Sequence, residues 1–200
     1  MIRDVYRFLI PLLLFGVFFV VLNLAYVAAL FFILALFVAF FFRNPVRKIP
    51  EGPNLIVSPA DGKVVQIAES EDGQRCISIF LSIFDVHVNR SPISGNVSEL
   101  TYRRGKFKAA FVEEASRVNE QNIITVEGTD IRVTFKQIAG LIARRVVCWK
   151  KPGDSLHRGE LIGIIRFGSR VDILLPEKVR IAVRVGDRVR GGSSVLGDYT

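Results

Sequence analysis

The segment Ile164-Ile165-Arg166-Phe167-Gly168-Ser169-Arg170-Val171-Asp172-Ile173-Leu174-Leu175 reads as a strand of β-branched and apolar residues interrupted by a Gly-Ser pair. A glycine inside a strand marks a bulge or a close approach of other atoms to the backbone, and taken alone the pair is a bulge. The serine also puts a hydroxyl within reach of the preceding carbonyl carbon, so Ser169 could attack the Gly168 carbonyl and open the chain there. Such an attack needs a base, and the chain has only two histidines. His87 ends the apolar run Phe80-Leu81-Ser82-Ile83-Phe84-Asp85-Val86-His87, just before the turn residues Asn89-Arg90-Ser91-Pro92. Asp61, in Ser58-Pro59-Ala60-Asp61-Gly62, is by itself a turn aspartate. Together Asp61, His87 and Ser169 have the composition of a relay: a carboxylate orients imidazole, imidazole takes the serine proton, and serine adds to a carbonyl.

The elements that must hold these residues are short. From Leu55 onward, apolar or alternating runs are bounded by turn residues: Leu55–Val57, Gly62–Ile67, Cys76–Ile83, Gly95–Leu100, Ile123–Val126, Ile131–Phe135, Ile138–Val147, Leu161–Arg166, Ser169–Leu175 and Arg180–Val185. So many strands in one modest domain predict a mainly β fold. Phe107 to Asn119 is expected as a short helix or an aromatic-bearing loop. Two frames repeat. Ser58-Pro59-Ala60-Asp61-Gly62-Lys63-Val64 matches Ser91-Pro92-Ile93-Ser94-Gly95-Asn96-Val97, and Gly153-Asp154 to Gly163 matches Gly186-Asp187 to Gly197. The second frame is similar to that of biotinyl/lipoyl-type barrel-sandwich domains, where glycines make the tight turns. The expected fold is a pseudo-symmetric, barrel-sandwich-like β domain. His157 and the tempting Ser193-Ser194 pair both fall in repeat turns, where a structural role is expected.

Ahead of this domain, Phe8 to Phe42 is apolar almost without interruption, Asn23 being its only strongly polar residue. That is too long for the apolar core of a secretory signal. As one helix it would reach about 50 Å, against a hydrocarbon core of roughly 30 Å. An N-terminal transmembrane hairpin of two short helices, reversing at Leu22-Asn23-Leu24, resolves the mismatch. Arg3 and Arg7 precede it, and Arg43, Arg47 and Lys48 follow it. The positive-inside rule therefore puts both ends in the cytoplasm, as an even number of spans requires. Pro45, Pro50, Gly52 and Pro53 make a stiff linker. The resulting division is 1–44 membrane anchor, 45–54 linker and 55–200 β domain.

Composition bounds the partners. Lys and Arg number 27 against 19 Asp and Glu, a formal charge of +8, and mean hydropathy is +0.36. Such a balance suits an anionic partner, nucleic acid or an anionic membrane surface; with an anchor present, attraction to anionic lipid head groups and a merely solvated basic face are equally open readings. Nucleic acid would rest on charge alone, without interleaved aromatics or a motif. Cys76 and Cys148 sit far apart in apolar runs and are expected as buried free thiols; no metal-ligand spacing occurs.

The combination S-P-A-D-G, then F-D-V-H-V-N-R-S-P, then I-R-F-G-S-R-V-D resembles the phosphatidylserine decarboxylase family, in its short, membrane-anchored bacterial and archaeal type. The resemblance covers essentially the whole β domain in order, and the apolar hairpin fits it. Longer members read L-G-S-T where this chain has F-G-S-R, and carry a second histidine whose nearest counterpart here is Phe84. Any role of that histidine is not carried over.

The resemblance implies a pyruvoyl-dependent lyase made from a zymogen. His87, supported by Asp61, would deprotonate Ser169, which attacks Gly168; the ester splits by β-elimination between 168 and 169. A large chain and a small chain of 32 residues, from Ser169 to Thr200, would remain packed together. The small chain would begin with a covalent pyruvoyl group at position 169, with no metal required. Its ketone would form a Schiff base with the serine amine of the lipid and accept the electrons released as carbon dioxide leaves. The product would be phosphatidylethanolamine, and His87 the candidate proton donor in that step. Gly105-Lys106-Phe107-Lys108-Ala109-Ala110-Phe111 could dip Phe107 and Phe111 into the membrane interface. The expected location is the cell membrane with the catalytic domain on the cytoplasmic side, and a homo-oligomer is compatible with it. The head-group motifs suit archaetidylserine equally well. A membrane-tethered barrel-sandwich adaptor without chemistry is the rival reading, and it requires an intact 22.4 kDa chain.

Overall fold

The structure is a computed structural model and describes residues 5–69, 73–108, 114–140, 145–165 and 169–200. By its internal contacts the chain divides into two units, Met1–Val46 and Arg47–Thr200.

The first unit is a helical hairpin of α1 (Tyr6–Val21) and α2 (Ala25–Phe41). The reversal falls at Leu22 to Leu24, with Asn23 in the left-handed region at φ 58°, which asparagine tolerates better than most residues. Phe31 stacks on Phe19 at 5.3 Å and meets Phe15 at 5.6 Å, so the two helices interlock through aromatic rings. Gly16 is buried, and an added Cβ there would lie 2.9 Å from the Phe32 ring. The helices have 16 and 17 residues, about 24–26 Å of axis. No helix among the described residues is long and apolar enough to cross a membrane.

The second unit is mainly β. In chain order its strands are β1 (Leu55–Val57), β2 (Gly62–Glu69), β3 (Arg75–Leu81), β4 (Val88–Arg90), β5 (Gly95–Arg103), β6 (Gln121–Glu127), β7 (Arg132–Ile138), β8 (Val146–Cys148), β9 (Ser155–Leu156), β10 (Leu161–Ile165), β11 (Ser169–Leu175), β12 (Val179–Ile181), β13 (Arg188–Val189) and β14 (Val195–Tyr199), with one helical turn, α3 (Ala115–Val118). An eight-stranded sheet runs β13-β2-β3-β11-β7-β6-β5-β9; two three-stranded sheets run β1-β14-β12 and β4-β10-β8. All described pairings are antiparallel apart from an isolated parallel bridge between Lys106 and Asn119.

The repeated frames occupy equivalent positions. Val57 N–H donates to the Pro92 carbonyl at 3.0 Å and Arg90 N–H to the Pro59 carbonyl at 2.9 Å, so each copy closes onto the other. The Ser58 and Ser91 hydroxyls donate to the carbonyls two residues on, Ala60 at 2.6 Å and Ile93 at 2.7 Å. Gly192 N–H binds the Ser58 carbonyl and Gly159 N–H the Ser91 carbonyl, both at 2.8 Å. Gly62 and Gly95 have φ of 152° and 155°, where an added Cβ would collide with the Phe80 and Glu127 carbonyl oxygens. Glycine is required at both for the same reason: another backbone passes where the side chain would be.

Several sequence expectations shift. Ile138–Val147 is not one strand: Ile138 closes β7, Ala139 and Gly140 leave the ladder, and β8 begins in a different sheet. Strand structure from Arg180 ends at Ile181, and within Phe107–Asn119 only α3 is helical, 109–113 lying outside the described residues. The strands β4, β9, β13 and β14 were not expected because they are two to five residues long and carry Asn89, Ser155, Arg188 or Gly197-Asp198, which break an apolar pattern. Cys76 and Cys148 are free, as expected, but half-buried. Arg47 to Gly52, read as part of a linker, is held to the β unit: Arg158 donates to the Pro50, Gly52 and Leu55 carbonyls at 2.6, 3.1 and 3.2 Å.

Candidate functional site

Ser169 opens β11, a central strand of the large sheet, and is completely buried. Its face is set by the strand period of two. Ser169, Val171, Ile173 and Leu175 point one way and the last three belong to the hydrophobic core. Arg170 and Asp172 point the other way. They form a buried ion pair at 2.6 Å, the guanidinium also donating to Ser78 Oγ at 2.6 Å and Gln66 Oε1 at 3.2 Å. Ser116 Oγ donates to the second Asp172 oxygen at 2.7 Å. With its hydrogen bonds filled, the pair leaves no charge stranded on the face of the strand opposite Ser169. The Ser169 Oγ itself has no hydrogen-bond partner among the described residues. A buried hydroxyl left in that state costs free energy, so its retention calls for an explanation other than stability.

His87 immediately precedes β4 and is also completely buried. Its Nδ1 lies 2.9 Å from the Asp85 carbonyl oxygen. An N–H at Nδ1 donating there leaves Nε2 as the basic nitrogen. Asp85 owes its own position to a tight turn: its carboxylate accepts from Ser82 N–H at 2.8 Å and Ser82 Oγ at 2.7 Å, and from Arg188 at 3.2 Å. Ile165, the last residue of β10, donates its N–H to the His87 carbonyl at 3.2 Å, while Ser169 pairs with Leu81 at the end of β3. The segment from Leu81 to His87 is therefore tied at one end to Ser169 and at the other to Ile165. This brings the histidine and the serine to one end of the β unit. Gly168 lies outside the described residues.

Asp61 stands at the turn before β2. Its carboxylate takes Arg47 at 2.7 and 2.8 Å and the Gly191 N–H at 2.8 Å. The acceptor seen on His87 Nδ1 is thus the Asp85 carbonyl, and the partners seen on Asp61 are Arg47 and Gly191. Arg90 adjoins this cluster and donates to the Gly159 carbonyl at 2.8 Å. Burial, then repulsion from Arg47, lowers the Arg90 pKa from its ordinary value.

The sequence reading missed a polar row beside Ser169. Across β6, β7, β11 and β3, one register row is Ile124, Phe135, Ile173 and Ile77; the next is Asn122, Gln137, Val171 and Ile79. The core thus turns polar one step before the level of Ser169. Asn122 Nδ2 donates to Gln137 Oε1 at 2.9 Å, and Gln137 Nε2 donates to Asn89 Oδ1 at 2.8 Å. The available signal was alternation: Asn122 shares a face with Ile124 and Val126, as Gln137 does with Phe135 and Val133, so both amides stand where an apolar residue is due. Phe107 is half-buried and packs against the core, and Phe111 lies outside the described residues. His157 is exposed in a repeat turn closed by Glu160.

Residues 34–197 match the family model described as phosphatidylserine decarboxylase. Among similar proteins, one from Solibacter usitatus is 54% identical over 164 residues, 82% of this chain and 79% of its own. Another, from Carboxydothermus hydrogenoformans, is 51% identical over 175 residues, 84% of this chain and 82% of its own. A third, from Syntrophus aciditrophicus, is 47% identical over 185 residues, 89% and 87% respectively. All three are named phosphatidylserine decarboxylase proenzyme.

Proposed function

Since this chain belongs to the phosphatidylserine decarboxylase family, we propose that it removes carbon dioxide from the head group of phosphatidylserine, using a pyruvoyl group made from its own Ser169. The observation that carries this reading is the buried Ser169 hydroxyl, without a hydrogen-bond partner among the described residues, at the strand start that the Leu81–His87 segment ties to a buried histidine. A nucleophile shielded from water acts on its own chain without losing the acyl intermediate to hydrolysis. His87, with Nδ1 held by the Asp85 carbonyl, takes the Ser169 proton at Nε2 and later returns it to the nitrogen that leaves. Asp61 supports this step from the adjoining turn by fixing Arg47 and the Gly191 backbone. When formed, the pyruvoyl group supplies a ketone that captures the lipid amine and an electron sink for the departing carboxylate. Archaetidylserine, with the same head group, would be accepted by the same chemistry.

The remaining features serve a substrate confined to a bilayer. α1 and α2 carry outward-facing large apolar side chains, among them Leu14, Val21 and Leu36 at 65%, 74% and 72% exposure. On this reading the hairpin inserts into the membrane with both ends on the cytoplasmic side, its short helices thinning the bilayer locally or drawing on flanking residues. Residues 45–54 then join it to a catalytic domain of barrel-sandwich type, a description favoured by the paired closures of the two repeats. Phe107 lies between Lys106 and Lys108, and a contact with the interface there would use the basic flank.

The test is the intact mass of the purified full chain beside Ser169→Ala. Wild type should give two pieces, the smaller blocked at its N-terminus, and should release carbon dioxide from phosphatidylserine vesicles. The variant should remain one 22.4 kDa chain without activity. An active wild type that stays uncleaved sinks the proposal.

A further inference from the structure

The buried amides beside Ser169 form a chain with a direction. Asn122 donates to Gln137 Oε1, and Gln137 spends its own N–H on Asn89 Oδ1. Asn89 is thereby left with its oxygen occupied and its Nδ2 group facing away from Gln137. That nitrogen is completely buried and has no hydrogen-bond partner among the described residues. Space has been made for the arrangement: an added Cβ at Gly163 would lie 2.9 Å from Gln137 Nε2 and collide with the Val147 carbonyl. Asn89 pairs with that same Gly163 across β4 and β10.

Position follows from register. Gln137 pairs with Val171, and Ser169 lies two residues along the same face of β11, the diagonal position that a long side chain reaches. Asn89 and His87 share a face of their extended segment by the period of two. Two buried polar groups without hydrogen-bond partners among the described residues, an N–H donor and a nucleophilic hydroxyl, thus occur at the same end of one core. A donor that lacks an acceptor in the resting state is what a site needs if the acceptor gains its charge only during reaction.

We propose that Asn89 is the N–H donor that stabilises the oxyanion formed when Ser169 adds to the carbonyl preceding it, with Gln137 and Asn122 as positioning residues. The inference rests on the self-processing reading above. In the step, a bond forms between Oγ and the carbonyl carbon, the Oγ proton passes to His87, and the carbonyl π pair moves onto oxygen. That oxygen is held by Asn89 Nδ2. Collapse expels the Ser169 nitrogen, which takes the proton back from His87, leaving an ester and a free amine.

The experiment follows cleavage of freshly translated full chain by intact mass, for wild type, Asn89→Ala, Asn89→Asp, Gln137→Glu and Ser169→Ala. Each variant's cooperative thermal unfolding is recorded beside it. Asn89→Ala should cleave about 10²–10³-fold more slowly, the usual loss for one such donor. Asn89→Asp, isosteric but without a donor, should be at least as slow. Gln137→Glu can only accept, so it turns Asn89 around and should also slow cleavage while keeping the core volume. Hydroxylamine, which cleaves esters and spares amides, should release the small chain from folded Asn89 variants only at the same slowed rate, because ester formation is the step that Asn89 assists. Cleavage of a folded Asn89→Asp or Gln137→Glu chain within threefold of wild type overturns the proposal, as does hydroxylamine release from folded Asn89→Ala within threefold of the wild-type rate. Cleavage of Ser169→Ala instead overturns the self-processing reading itself, so the two failures are distinguishable.

Discussion

Ile165 donates its backbone N–H to the carbonyl of His87 at 3.2 Å, and this bond joins the end of β10 to the residue that begins the β4 segment. Since Ser169 pairs with Leu81 on the other side of the same turn, the imidazole and the hydroxyl are positioned by one six-residue connection. The turn is closed by Asp85 through Ser82, and the Asp85 carbonyl fixes Nδ1. His87→Ala should therefore leave the precursor intact, with cleavage slowed at least 10²-fold, as expected for loss of a positioned base. Asp85→Ala should slow it less, by loosening the turn without removing the base. Intact mass over time, read beside thermal unfolding, checks both, and equal rates for His87→Ala and wild type would exclude the imidazole as the base.

The Asp61 carboxylate holds Arg47 and the Gly191 N–H together, drawing the start of the β unit onto a repeat turn. Both side chains are mostly shielded, at 9% and 14% exposure. Removing one partner of such a pair costs more than an exposed bridge and less than a fully buried one. Arg47→Ala should lower stability by about 1–3 kcal/mol in urea titrations. Asp61→Asn keeps the volume but weakens the hold on Arg47, and should stall processing in the intact-mass assay. If Asp61→Asn matures at the wild-type rate, the contribution of Asp61 is to the turn alone.

The β class, the hairpin reversal at Asn23, the paired repeat turns and the strand from Ser169 to Leu175 were all legible in the sequence. Each is written in local chemistry: alternation, glycine spacing, a polar residue in an apolar run. The Arg47–Asp61 pair was not legible, because an aspartate in a turn gives no sign of which distant cation it will meet. Asp85 was passed over for a similar reason. Its side chain closes a local turn, but its hold on His87 comes through a backbone carbonyl, which every residue has. The amide row was hidden differently, since Asn122, Gln137 and Asn89 come from three strands and meet only through register. What sequence does show is that two of them interrupt an apolar face.

The pair of Arg170 and Asp172 lies on the opposite face of β11 from Ser169, with side chains 4% exposed. Asp172→Asn leaves a buried guanidinium without its counter-charge and should destabilise the protein by about 3–5 kcal/mol. Replacing both by apolar residues, Arg170→Met with Asp172→Leu, should cost much less, because no charge is left stranded. Urea unfolding of the three chains separates these cases. Equal losses in the single and double variants would mean that the pair acts through packing and not through charge.

Cys76 neighbours this pair on β3, and its pKa is pushed up to about 11 by burial and then by the Asp172 carboxylate, from an ordinary value of 9.0. The folded chain therefore keeps a proton there that the unfolded chain loses first. Where the folded state binds more protons than the unfolded one, stability falls as pH rises. The contribution is fully present below pH 9, and is lost as pH climbs toward 11. Cys76→Ala should flatten that part of the stability profile, with the wild-type and variant curves converging in slope below pH 9. Iodoacetamide should also label the folded protein slowly at neutral pH, since the thiolate is the reactive form. Denaturant midpoints measured from pH 7.5 upward provide the check, and parallel curves for the two proteins through the whole range would show that the thiol is not raised.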